Sequence, residues 1–170
     1  MTQPRPPADG TTALEAAFEA HHASVYRAAY RVTGSAADAE DVLQTVYLRL
    51  VSADESKLTA GYLVRSAVNA SLDLLRSRGL RKAAALDEER DRSPDSESPH
   101  ARHEARETRR ALREALAEIS PKLAEVFVLR HVEGLPPREI SAITGSSAAV
   151  VAIQILRAKT RLRLLLRDNL

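Results

Sequence analysis

The sequence predicts an all-α protein of two small helical domains joined by a flexible linker, the second domain containing a helix-turn-helix. Three observations carry this. Apolar residues recur at helical spacing in each segment between the breaks. Leucine, alanine and arginine dominate, aromatic residues make up 4% and Trp is absent. A stretch rich in Asp, Glu, Ser and Pro, residues 83–99, lacks core-forming side chains after Leu86 and divides the chain as a linker. At 170 residues the chain is long enough for two small domains, expected at 12–82 and 100–170. The complete lack of Cys excludes disulfides and thiolate metal sites and fits a reducing compartment. Residues 1–11 are polar and Pro-rich, a disordered tail rather than a secretory signal. No apolar run approaches membrane-spanning length, so the expectation is a soluble, cytoplasmic protein with no membrane contact.

The elements follow in order. From Thr12 to Val32, Leu14, Phe18, His22, Val25, Ala29 and Val32 share a helix face, and Gly34 stops the helix. His21 and His22 are adjacent and do not face one metal site. Ser35 with Asp38 has capping-box spacing and opens a second helix to about Val51, its buried stripe Leu43, Val46, Tyr47 and Leu50. The opposite face carries Asp41, Gln44, Thr45 and Leu48, a partner-binding surface, because the nearby carboxylates have no His or second cluster to make a catalytic or metal site. Residues 52–60 form a polar loop. A third helix, Gly61 to about Gly79, buries Val64, Val68, Leu72 and Leu75 and presents Tyr62, Arg65, Ser66, Asn69, Asp73 and Arg76 on the other side. Beyond the linker a fourth helix runs from His100 to Glu118, burying Leu112, Leu116 and Ile119. His100 and His103, with Glu104 and Glu107, have nominal metal spacing on an arginine-rich helix start that argues against a site. Ser120-Pro121 starts a fifth helix with Leu123, Val126, Phe127 and Arg130 on one face, and Gly134 ends it.

The last stretch, Leu135 to Arg163, is the most informative. Pro136 and Pro137 open a short helix containing Ile140 and Ile143, Gly145 ends it, and Ser147 offers a cap to a longer one. Val151, Ile155, Ala158 and Leu162 then make one buried stripe. A short helix, a tight turn with Gly and a longer helix with a basic second half make a helix-turn-helix.

Net charge is +2, but its placement is uneven. Arg65, Arg76, Arg78, Arg81 and Lys82 form one basic region and Arg157, Lys159, Arg161, Arg163 and Arg167 another, while residues 83–107 are predominantly acidic. Two basic regions with an acidic connector suit two contacts on one nucleic acid. The strip from Tyr62 through Arg65 and Asn69 to Arg76, running on to Arg78, Arg81 and Lys82, can stack on bases, bond their edges and hold phosphates.

Ala37-Asp38-Ala39-Glu40-Asp41-Val42-Leu43-Gln44, after Tyr30-Arg31-Val32-Thr33-Gly34, resembles region two of bacterial sigma factors of the extracytoplasmic-function group. Asn69-Ala70-Ser71-Leu72-Asp73-Leu74-Leu75-Arg76 resembles the end of that region. Leu123 to Arg130, Glu133-Gly134-Leu135 and Glu139-Ile140 resemble region four. The resemblance implies an alternative sigma factor, not an enzyme and without cofactor or metal, that binds core RNA polymerase and promoter DNA, with an anti-sigma protein as a further partner. It implies that Asp38, Asp41, Gln44 and Leu48 face the polymerase, and that Tyr62, Arg65 and Asn69, with the 52–60 loop, hold the melted promoter strand. The helix from Ser147 would enter the major groove upstream.

This chain departs from the family pattern in three places. Tyr62 stands where Trp is usual, Thr45 where Glu is frequent, and Ala152, Ile153 and Gln154 where Lys, Ser and Arg are frequent. Ala149, Ala152, Ile153 and Leu156 then make the outward face apolar, and Ser146, Ser147, Gln154, Arg157 and Lys159 are the remaining DNA-contact candidates. That face leaves an alternative open: a sigma-like interaction protein whose last helix serves protein contacts.

Overall fold

A computed structural model describes residues 9–51, 54–82 and 99–168. Among these residues are seven α-helices and one short 3-10 turn: α1 (Asp9–Thr33), α2 (Ala36–Leu50), the 3-10 turn Glu55–Lys57, α3 (Ala60–Lys82), α4 (Pro99–Glu118), α5 (Pro121–His131), α6 (Pro137–Thr144) and α7 (Ala148–Asp168). The expected tail at 1–11 lies outside the described residues up to position 8, and α1 begins ahead of its expected start. Nearly all of the expected linker lies outside them as well; Pro99 opens α4.

The punctuation works as local chemistry requires. The Ser35 hydroxyl accepts the Asp38 N–H at 3.3 Å, but the Asp38 carboxylate does not complete the capping box; it turns to Arg78 on α3. The Ser147 hydroxyl caps α7 by accepting the Val150 N–H at 3.3 Å. Gly145, at φ 71°, ends α6 in the left-handed conformation that only Gly adopts without strain. The break turns the chain by 106° between α6 and α7, the geometry of a helix-turn-helix. No single helix among the described residues is long and apolar enough to cross a membrane.

Two apolar clusters fill the interior. The first joins Val25, Ala28 and Ala29 of α1, Val42, Val46, Tyr47 and Leu50 of α2, and Leu63, Ala67 and Ala70 of α3. Burial raises the Tyr47 phenol above its ordinary pKa, and its hydroxyl reaches the Ala17 carbonyl at 3.5 Å. The α1 face is rotated from the expected one: Phe18 is 41% exposed and His22 is exposed, Phe18 meeting the Tyr47 ring edge-on at 4.7 Å.

The second cluster crosses from one half of the chain to the other. Val32, Val68 and Leu72 pack with Ala115, Leu116, Ile119, Ala124, Val126, Val128, Leu129, Ile140, Val151, Ala158 and Leu162. The apolar stripe expected on α3, Val64, Val68, Leu72 and Leu75, therefore faces largely α4 and α5 rather than α1 and α2. A second set, Leu63, Ala67 and Ala70, serves the first cluster. Helix α3 is a wall shared by both halves. On α5 the buried surface is wider than the expected face: Ala124, Glu125, Val126, Val128 and Leu129 are buried, because α3, α6 and α7 all pack on it.

Candidate nucleic-acid interface

Three surfaces carry the residues expected to contact partners: one face of α2, the polar strip of α3 and the helix-turn-helix of α6 and α7. On α2, Asp41, Gln44 and Leu48 lie on one exposed face, with Leu48 71% exposed and Val51 69% exposed beyond it. An acidic, amide and leucine surface of this kind has no partner among the described residues. Thr45 bonds its own helix, its hydroxyl donating to the Asp41 carbonyl at 2.8 Å. Asp38, grouped with that face in the sequence, is elsewhere. It is 3% exposed, and its carboxylate takes both terminal nitrogens of Arg78 at 2.5 Å. The structure thus brings together a residue expected on the polymerase side and one expected on DNA, forming an α2–α3 clasp.

The α3 strip is half-buried at Tyr62, Arg65, Ser66, Asn69, Arg76 and Arg78 and exposed at Asp73. The Thr59 hydroxyl accepts the Tyr62 N–H at 3.4 Å, and the Tyr62 ring packs at the edge of the first cluster. Arg65 donates through Nε to Glu125 Oε1 at 2.5 Å and through Nη1 to the Ile143 carbonyl at 3.0 Å. Asn69 donates Nδ2 to the same Glu125 oxygen at 2.8 Å. Arg76 pairs with Asp73 one turn back at 3.3 Å. Arg81 and Lys82 close the helix, and their side chains lie outside the described residues.

Sequence reading did not mark Glu125, Arg31, Glu133 or Arg113. Arg31 reaches Glu133 at 3.1 Å, and Arg113 Nε donates to the Val32 carbonyl at 3.2 Å. A signal for Glu125 was present: it is a carboxylate among Leu123, Ala124, Val126 and Phe127 on a helix with little polar surface.

In the helix-turn-helix, Ser141 donates to the Ser146 carbonyl at 2.6 Å and so fixes the turn. Ser147 is engaged as the α7 cap, Gln154 and Lys159 are half-buried, and Arg157 is exposed. Val151, Ala158 and Leu162 are buried and Ile155 packs on the cluster, as the periodicity requires. The outward face is apolar: Ala149 and Ala152 are exposed, Ile153 is 50% exposed and Leu156 66% exposed. His131, stacked at a tilt on Phe127 at 4.9 Å, has its pKa lowered by burial and then by the charges of Lys159 and Arg130. His103 pairs with Glu107 at 3.4 Å on an exposed turn, and no group of three or more metal-ligating side chains assembles among the described residues.

Residues 17–81 match the family model of sigma-70 region 2, and residues 109–162 that of sigma-70 region 4. The chain is similar to the ECF RNA polymerase sigma factor SigE of Mycolicibacterium smegmatis, 34% identical over 148 residues, covering 84% of this chain and 57% of that protein. It is 33% identical over 146 residues to the RNA polymerase sigma-E factor of Streptomyces coelicolor, covering 82% of this chain and 78% of that one. The fold is also that of the sigma factor RpoE solved in complex with the anti-sigma factor NepR from Bartonella quintana: TM-score 0.50 at 17% identity, over 88% of this chain and 94% of that one.

Proposed function

This chain belongs to the sigma-70 family, in its extracytoplasmic-function (ECF) group, and from that premise we propose how its surfaces divide the work of an alternative sigma factor. The protein binds core RNA polymerase in the cytoplasm, directs it to promoters and opens the DNA there, without catalysis of its own. Its region-two unit is residues 12–82 and its region-four unit residues 100–170.

The observation that carries this reading is the exposed α2 face beside the α3 strip, in one chain with a 106° helix-turn-helix. Asp41, Gln44 and Leu48 dock on polymerase. Asp38 supports that surface from below through Arg78. Tyr62, Arg65 and Asn69 hold the melted strand by stacking and edge contacts, and Arg76, Arg81 and Lys82 hold its backbone. Helix α7 enters the major groove, where Ile153 and Leu156 suit thymine methyl groups, Arg157 and Gln154 suit base edges, and Ser146 lies at the turn. An anti-sigma protein is a further partner by family analogy. The reading in which α7 serves protein contacts instead is not favoured.

Run-off transcription with purified core polymerase on a genomic fragment library tests the proposal. The expected result is a set of starts preceded by two shared sequence boxes at fixed spacing. A single downstream box would remove upstream reading by α7. Binding to core without specific starts would overturn the proposal.

A further inference from the structure

The outward row of α7 holds no free hydrogen-bond donor. On the helical repeat Ala149, Ile153, Leu156 and Thr160 fall in one line, opposite the buried Val151, Ala158 and Leu162. We infer that α7 reads its upstream element through the C5-methyl groups of thymine, with Ala149, Ile153 and Leu156 setting the specificity. The element is therefore a short run of A·T pairs. This rests on the reading of α7 as the helix that enters the major groove.

The polar groups nearby are engaged or set aside. The Thr160 hydroxyl donates to the Leu156 carbonyl at 3.0 Å, so its proton is spent on its own helix. The Ser147 hydroxyl caps the helix, and Gln154 is half-buried beside the core stripe. Of the groups that base edges present in the major groove, the thymine methyl alone is apolar, so it alone gains from contact with Ile153 and Leu156. Any other edge would lose water from donors and acceptors that this row does not replace. From Ala149 to Leu156 the row runs about 10 Å, the length of roughly three base-pair steps. Cations line both sides of it, Arg157 and Arg161 on one and Lys159 and Arg163 on the other, matching a groove with an apolar floor and phosphate walls. The same charges argue against a second copy as the occupant. Paired α7 helices would bring these cations together, with Asp168 the only carboxylate on each helix.

The test removes the methyl and nothing else. Holoenzyme assembled from core polymerase and the full-length chain selects from duplexes with a randomised centre, amplified with either thymidine or deoxyuridine triphosphate. The thymidine library should yield an upstream box with adjacent thymines, and the deoxyuridine library the downstream box alone. On a selected duplex, replacing the box thymines by deoxyuridine should weaken binding about fourfold for each contacted methyl. Ile153→Ala/Leu156→Ala alters two exposed positions, outside the core. The variant should discriminate the two duplexes by about twofold at most. A folding defect would instead lower both affinities and keep their ratio. An upstream box without thymines, one bound equally well with deoxyuridine, or a variant that keeps the full ratio would overturn methyl reading by this row while leaving α7 in the groove. A selection that returns no upstream box would remove α7 from DNA, and with it the reading on which the inference rests.

Discussion

At the scale of single residues, Asp38 shows how position in a motif and position in space diverge. Its place in the Ser35 capping sequence put it at the first turn of α2 with Asp41, yet helical rotation points it inward onto Arg78, forty residues on. The pair is bidentate and its carboxylate is almost fully enclosed, whereas the guanidinium is partly solvated. Asp38→Asn should therefore lower unfolding free energy by about 1.5–3 kcal/mol, the range for hydrogen bonds to charged groups. Thermal and urea unfolding measure this. Affinity for core polymerase should fall only as far as the folded fraction falls; a larger loss would return Asp38 to the docking face. Sequence alone does not join residues 38 and 78, because nothing local distinguishes a carboxylate that will find an arginine on another helix from one that will be solvated.

At the scale of elements, what was legible and what was not separate cleanly. The two serine caps, the glycine stops and the α7 stripe are local features, set by φ, hydroxyl reach and the helical repeat, and the structure keeps them. The partners of each stripe are not local. Val68 and Leu72 read as the inner face of a first domain, but the repeat states only that a face is buried, not against which neighbour. The polar strip of α3 read as a nucleic-acid contact face because its residues can stack, bond base edges and hold phosphates; that Arg65 and Asn69 meet Glu125, itself enclosed, no periodicity reports. Helix α7 offers a test at this scale. Its outward face is apolar where charge would help a groove-binding helix, so Ile153→Lys should add one phosphate contact. Affinity for promoter DNA should rise, and the slope of log affinity against log salt should steepen by about one in filter-binding or anisotropy titrations. An unchanged slope would place Ile153 away from the duplex.

At the scale of the whole molecule, α3 decides the behaviour. One of its sides belongs to the α1–α2 cluster and another to the cluster of α4–α7, so the two halves share a structural member. Two domains on a tether would unfold independently; halves that share a helix melt together. We expect a single unfolding transition by circular dichroism, with calorimetric and van't Hoff enthalpies in agreement. Leu72→Ala, at a fully buried position on the seam, should lower stability by about 2–5 kcal/mol and resolve the melt into two steps. Two transitions in the unaltered chain would show that the seam contributes little.

The Arg113 contact has a consequence in time. Val32 sits in the last turn of α1, where carbonyls have no partner within the helix, and the guanidinium that satisfies its oxygen comes from α4. Gly34 leaves open the space this guanidinium needs; a Cβ there would overlap it. Any parting of the halves hands the Val32 carbonyl back to water and loosens the end of α1, including the Gly34 N–H bonded to the Tyr30 carbonyl at 2.8 Å. That amide then exchanges with deuterium on the schedule of opening rather than of global unfolding. A single backbone proton at the threshold of α2 keeps the record of how often the chain lets go of itself.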